Sequence, residues 1–351
     1  MSHLLTIFII MIVGLLCRAN NVEIQLHYPI SSIGQIVKDS DLECLAPDDQ
    51  DFEVSKNLKY VGMLSSMKSD TLDFAKWEKD VRATLKMGNL QVVEYLDLNK
   101  EIGHNNSYEF FAKKLFFLSK YKIGVVIIVQ ELFYDKNGKL KSNYIKSWKK
   151  LNRILRPFKS LIKGFYLFDE PFWSVESNKK SGNKDFVSEA EMSQNLTTVG
   201  NLLHQSLPAI PLVYVEAYPM ITDKLKIPDV FDWIGMDCYT GFDNCEGRSI
   251  PAYYQILGAL QPGKKWVVLP PAIIFKKSEE IKTEDRIKLK NIYTQFINWV
   301  AKEPNIITSL SFMYRFDQTN ETFTGAKKIC EVADAHRLYW RKYYRSILGH
   351  K

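Results

Sequence analysis

Eight short apolar runs, separated by longer stretches, span residues 58–351 of this 351-residue chain. The runs are continuously apolar, as strands buried on both faces are. All but one of the stretches between them carry helical spacing. Eight such units in a span of this size predict an α/β chain folded as a single (β/α)8 TIM barrel. A doubly wound sheet would want a Gly-rich phosphate turn after an early strand. Met63-Leu64-Ser65-Ser66 follows the first run instead.

The elements follow in order. Leu58–Leu64 reads as the first strand, and Thr71–Lys86 as a helix with Leu72, Ala75, Trp77, Val81 and Leu85 on one face. Leu90–Leu96 is the second strand, Ser107–Tyr121 a helix, and Ile123–Gln130 the third strand. Asn143–Phe158 is a helix, followed by Ile162–Phe168 as the fourth strand. The Ser/Asn/Lys-rich segment Ser174–Lys184 reads as a loop tip, and Ser188–Ser206 as a helix. Ile210–Val215 and Phe231–Met236 are the fifth and sixth strands. Between them Ala217–Val230, with three prolines, has no clear helix. Pro251–Leu260 is helical, Lys265–Leu269 the seventh strand, Lys282–Glu303 helical and Ile306–Met313 the eighth strand. Gly325–Ile347 closes the barrel as a long helix. Its mix of bases and rings from Arg337 to Leu348 is read as a packing face through Leu338, Trp340, Tyr344, Ile347 and Leu348.

Before the barrel, Leu4–Leu16 is an uncharged run of 13 residues, shorter than the roughly 20 a membrane span needs. It fits a secretory signal, residues 1–19, cut after Ala19. No stable membrane span is then expected. Residues 20–57 form an extension packed on the barrel, which occupies 58–351. Four cysteines remain after cleavage, an even number that suits disulfides in an exported protein. Cys238 and Cys245 lie in one loop, and Cys44 and Cys330 lie near chain ends that meet in a closed barrel. Three sequons begin at Asn105, Asn195 and Asn320.

Composition sets further bounds. Apolar residues at 46% and charged residues at 25% exclude a disordered, collagenous or mainly membrane-embedded chain. A net charge of +7 is too weak to imply nucleic acid. The six histidines have no zinc-site spacing, and no cofactor is implied. The expected form is a secreted monomer that meets a carbohydrate.

That partner follows from the strand ends, where a barrel places its active site. The second strand ends at Glu94-Tyr95-Leu96-Asp97 and the third at Gln130-Glu131. The fourth ends at Asp169-Glu170-Pro171-Phe172-Trp173 and the fifth at Glu216-Ala217-Tyr218. The sixth ends at Asp237-Cys238-Tyr239 and the eighth at Tyr314-Arg315. Carboxylates suit proton transfer, and rings suit the apolar faces of sugars. Phosphate chemistry would want a basic or Gly-rich rim.

The segment Gly164-Phe165-Tyr166-Leu167-Phe168-Asp169-Glu170-Pro171 resembles the Asn-Glu-Pro turn that ends strand four in the (β/α)8 retaining glycosidases. Phe231–Tyr239 resembles the strand-six segment of glycosidase-like barrels. The resemblance implies that Glu170 is the general acid and that Asp169, in the place of the Asn, contacts substrate. The family's strand-seven Glu has no counterpart in Val267–Phe275. Glu216 or Asp237 would then supply the second carboxylate. Alternatively, an N-acetyl sugar would act as its own nucleophile, oriented by Asp169, Asp237 and Tyr239. The third reading is a catalytically inactive sugar-binding barrel. Trp173, Tyr218, Tyr239, Tyr314 and Glu131 are the candidate substrate contacts. Apolar neighbours Phe168, Phe172 and Trp173 would raise the Glu170 pKa and keep it a proton donor.

Overall fold

A computed structural model describes residues 52–63, 74–95, 107–312, 324–326 and 329–348. The signal expected at 1–19, most of the extension expected at 20–57, Cys44, Asp97, Asn105, Tyr314 and Asn320 lie outside the described residues.

The eight expected strands form a closed, all-parallel barrel. They are β1 (Tyr60–Met63), β2 (Leu90–Glu94), β3 (Gly124–Ile128) and β4 (Ile162–Tyr166) in the first half. The second half is β5 (Leu212–Ala217), β6 (Trp233–Asp237), β7 (Lys265–Val268) and β9 (Ile306–Ser311). β9 pairs with β1 from Tyr60↔Thr308 to Met63↔Ser311 and closes the ring. The small β8 (Ile273–Ile274) pairs antiparallel with β10 (Thr324–Gly325), a two-stranded sheet that the sequence pattern does not mark.

The helices alternate with the strands as α1 (Phe74–Thr84), α2 (Ser107–Lys120), α4 (Tyr144–Leu155), α6 (Glu189–Ser206), α7 (Ile250–Leu260), α8 (Thr283–Lys302) and α9 (Cys330–Leu348). Two more are the single turn α3 (Gln130–Phe133) and α5 (Pro171–Lys180). Between β5 and β6 stands only a short turn at Tyr218–Met220, in keeping with its prolines. Two expectations change. The loop tip read at Ser174–Lys184 is largely α5, started by Pro171 at a position whose N–H needs no helical partner. The buried face of α9 runs through Val332, His336, Tyr339 and Tyr343, whereas Leu338, Trp340 and Tyr344 are only half-buried. Charge at Arg341, Lys342 and Arg345 hides this register in the sequence.

Alternation along each strand divides the apolar core in two. Outward residues such as Val125, Phe165 and Ile234 pack on the helices, where Trp148 of α4 meets Phe165 at 5.7 Å and Phe133 at 6.0 Å. Inward residues such as Leu90, Val92, Val126, Val213 and Val267 form a separate cluster inside the barrel. Asn195 is buried in α6 and donates to the Gly138 carbonyl (3.2 Å), so its sequon is closed to a modifying enzyme. Cys238 and Cys245 are joined, as their loop spacing suggested. Cys330 is also disulfide-bonded.

The last unit is locked to the first by His336. Its Nε2 lies 2.6 Å from the Met87 carbonyl oxygen, which can only accept, so Nε2 carries the hydrogen. Nδ1 accepts from the Tyr293 hydroxyl of α8 (2.5 Å), with Ser311 Oγ of β9 at 3.0 Å. Burial pushes the imidazole pKa down to about 4. The unfolded chain takes up this proton near pH 6.5 and the folded one only near 4. His336 therefore removes stability as pH falls between those values. Thermal midpoints of wild type and His336→Gln, followed from pH 7 to pH 4, should diverge in slope, the variant lacking this loss. Parallel curves would remove His336 from the acid response.

Candidate active site

A cavity of about 280 Å³ opens at the carboxyl ends of the strands and runs down into the barrel. Its lower walls are inward valines and leucines with Trp233. Its rim carries Glu94, Gln130, Tyr166, Asp169, Glu170, Asp237 and Tyr239.

Glu170 reaches this rim through an unusual backbone. It sits at φ 44°, ψ 61°, a left-handed conformation that costs a non-glycine residue roughly 1–3 kcal/mol. The turn is held from both sides. The Asp169 amide donates to Gln130 Oε1 (3.0 Å). Beyond Pro171, the first-turn amides of Phe172 and Trp173 both donate to the Glu216 carboxylate at 3.0 Å. Glu216 also accepts from the Tyr214 hydroxyl (2.8 Å) and the Ala217 amide (3.1 Å). It is fully buried and does not line the cavity.

The turn brings Glu170 into hydrogen-bond contact with Asp237, which also accepts from the Tyr239 hydroxyl (2.9 Å). Burial raises the Glu170 pKa, and the neighbouring Asp237 and Asp169 charges raise it further. Burial also raises Asp237, while hydrogen bonds from Glu170 and Tyr239 hold it lower. The two carboxyls titrate as a coupled pair, and burial with their mutual repulsion disfavours the doubly charged state. Asp169 is open to the cavity yet enclosed by its walls. Burial raises its pKa, and the Tyr166 hydroxyl, donating at 2.6 Å, opposes that rise. Burial lifts Glu216 to about 7 against its hydrogen bonds.

On the opposite wall, Glu94 attracts Lys114 of α2, whose ammonium is buried over the Phe110 and Trp77 rings at 4.7 and 5.4 Å. Burial lowers the Lys114 pKa to about 7.

The structure thus gathers Asp169, Glu170, Asp237 and Tyr239 at one cavity. Trp173 lies on α5 with Lys180 over its ring at 5.5 Å, away from the cavity lining. Tyr218 packs on Tyr253 at 6.4 Å, and Glu131 sits on α3 with its carbonyl accepting from Lys141; neither lines the cavity. Sequence reading did not single out Glu94, Gln130 or Tyr166. Period-2 alternation does signal two of them, because Glu94 follows the inward Val92 and Tyr166 shares the parity of Gly164. Past β7 the rim reads Leu269-Pro270-Pro271 without an acid, and Glu279 and Glu280 stand exposed in a turn. Among the described residues no group of His, Cys, Asp and Glu is arranged to hold a metal.

No protein-family model and no curated protein matches this sequence. Solved structures match its fold. A GH5_18 protein from Bifidobacterium longum subsp. infantis aligns with TM-score 0.57 at 11% identity, covering 82% of this chain and 80% of that one. A GH5_18 variant from Streptomyces cattleya, in complex with Manβ1-4GlcNAc, aligns with TM-score 0.56 at 12% identity, covering 81% of each chain. An exo-β-1,4-mannosidase from Opitutaceae bacterium strain TAV5 aligns with TM-score 0.56 at 10% identity, covering 88% of this chain and 64% of that one. The chain shares the (β/α)8 barrel fold of these structures.

Replacing Glu216 by Gln should turn an amide donor toward at least one backbone N–H that can only donate. The expected cost is about 1–3 kcal/mol in urea unfolding. An unchanged midpoint would show that the carboxylate does not hold α5.

Proposed function

We propose that this protein hydrolyses O-glycosidic bonds of an oligo- or polysaccharide with Glu170 as general acid. One observation carries the reading: Glu170 faces the cavity at the carboxyl end of the barrel beside Asp237, where burial and that neighbour raise its pKa. A carboxyl held neutral at pH 7 can give its proton to the leaving glycosidic oxygen as the C–O bond breaks. Asp237 is the second acid and fixes that proton. Glu216 is given a positioning role, since its oxygens are occupied by α5 and Tyr214.

The pair works as one acid. Opposed carboxylates stand about 5–5.5 Å apart for double displacement and 6.5–9.5 Å apart for single displacement, too far for a direct hydrogen bond. This contact, with no acid on the strand-seven rim, favours a substrate that brings its own nucleophile. The carbonyl oxygen of a 2-acetamido sugar would bond to the anomeric carbon as the leaving group takes the Glu170 proton. Water would then reopen the ring formed, and its proton would return to Glu170. Asp169 and Tyr239 would orient the acetamido group, with Gln130 and Tyr166 beside them.

The second reading is a sugar-binding barrel without turnover, favoured by the same acid-free rim at Leu269-Pro270-Pro271. The Cys238–Cys245 disulfide and the apolar run at Leu4–Leu16 support export after removal of residues 1–19.

A panel of chromogenic glycosides and natural polysaccharides separates the readings. Glu170→Gln should abolish hydrolysis and leave sugar binding. Undiminished turnover would sink the assignment, and binding without turnover by the wild type would select the second reading. The same variant has a stability signature. The Glu170 pKa is raised on folding, so wild type loses stability as pH climbs above the unfolded value of 4.5. Glu170→Gln should therefore melt higher than wild type at pH 8, with the gap closing toward pH 4.5.

A further inference from the structure

The interior of a (β/α)8 barrel is normally filled by its own side chains. Here the cavity penetrates it. Val92, Val126 and Trp233 keep 7%, 5% and 8% of their surface, whereas the outward Val125, Ile127 and Ile234 keep 0%. The residual surface of these inward residues belongs to the cavity they line.

The lower walls are Val126, Val213, Val215, Val267 and Leu310. Thr308 carries the only hydroxyl among the described wall residues below the rim. Trp233 lines the cavity with its ring 5.8 Å from that of Tyr60, so an aromatic pair spans the barrel at the amino ends of β1 and β6. All the carboxyl groups stand at the mouth. A bare sugar ring pushed to this depth would leave its hydroxyls without partners. An apolar group would gain the whole wall as contact. The cavity, rim included, measures about 280 Å³, and an apolar cavity of roughly 150 Å³ already admits benzene.

We infer that the substrate is a glycoside bearing an aryl or branched-alkyl group, which fills the barrel interior while the sugar ring lies above it at the Glu170–Asp237 pair. The sugar half rests on the proposed function, and the apolar half rests on the cavity itself. The combination narrows the carbohydrate to an amphiphilic one. It also gives the glycine at Gly235 a part: a Cβ there would lie 2.4 Å from the Val267 carbonyl oxygen, so the strands close up with no side chain at that point of the inner layer.

Matched methyl and phenyl glycosides of glucose, mannose and N-acetylglucosamine, with phenol alone, test this by calorimetry and by Trp233 fluorescence. In the wild type the phenyl member of a binding pair should bind about tenfold tighter than the methyl member or better. Phenol should bind weakly and compete with it. Val215→Phe, which fills the cavity, should bring phenyl and methyl to parity. Val267→Ile, a smaller filling less prone to overpacking, should narrow the gap. Equal binding of the two members by the wild type would overturn the inference. So would phenol binding with no glycoside binding, because the sugar head would be lost. A persistent phenyl preference alongside full activity in Glu170→Gln would defeat the general-acid assignment and leave this inference standing.

Discussion

The geometry of the site depends on one carboxylate that never touches the cavity. Glu216 is buried in the barrel wall, where an isolated charge is costly. Four donors offset that cost, two of them the first free amides of α5. The positive end of the helix adds to the attraction. Fixing those amides fixes Pro171, and with it the left-handed backbone of Glu170. Without the anchor, nothing local favours that conformation in a residue with a Cβ. The strained residue is the one that meets Asp237, as expected where strain is kept for a purpose.

The barrel supplies a second constraint through parity. Successive residues of a strand face opposite sides, so every second residue of a strand points into the interior. Val213 and Val215 face inward on β5, which sends Glu216 outward to the helices. Trp233 and Gly235 share the inward parity on β6, which sends Asp237 into the cavity. Two strand-end acids that look alike in the sequence thus receive opposite surroundings.

This explains what was legible in the sequence and what was not. The eight strands were legible because each is a continuous apolar run, and the structure places all eight within two residues of their predicted bounds. The Asp169-Glu170-Pro171 turn was legible because its residue types are rare at a strand end. Helix α5 was not, because Ser174, Ser177, Asn178, Lys179 and Lys180 read as loop, and its start depends on Glu216, 44 residues beyond Phe172. Glu216 and Asp237 both end apolar strands, and only the parity of the residues before them separates the buried one from the cavity-facing one. Trp173 and Tyr218 were attractive as rings beside acids. Whether a ring faces sugar or helix is decided by the turn that carries it, and no local spacing records that.

The apolar walls and the acid at the mouth are two sides of one property. A carboxyl keeps its proton where the charged form is poorly solvated, and the valine-lined interior below Glu170 solvates charge poorly. Asp237 adds a negative neighbour that makes a second charge costlier still. A polar interior would have lowered the Glu170 pKa and offered water in competition for its proton. A ligand that fills the cavity with apolar atoms expels the remaining water and strengthens every electrostatic interaction at the rim. Occupancy of the barrel interior and the charge state of Glu170 are therefore coupled: apolar atoms that displace water from the cavity disfavour the charged carboxylate at its mouth.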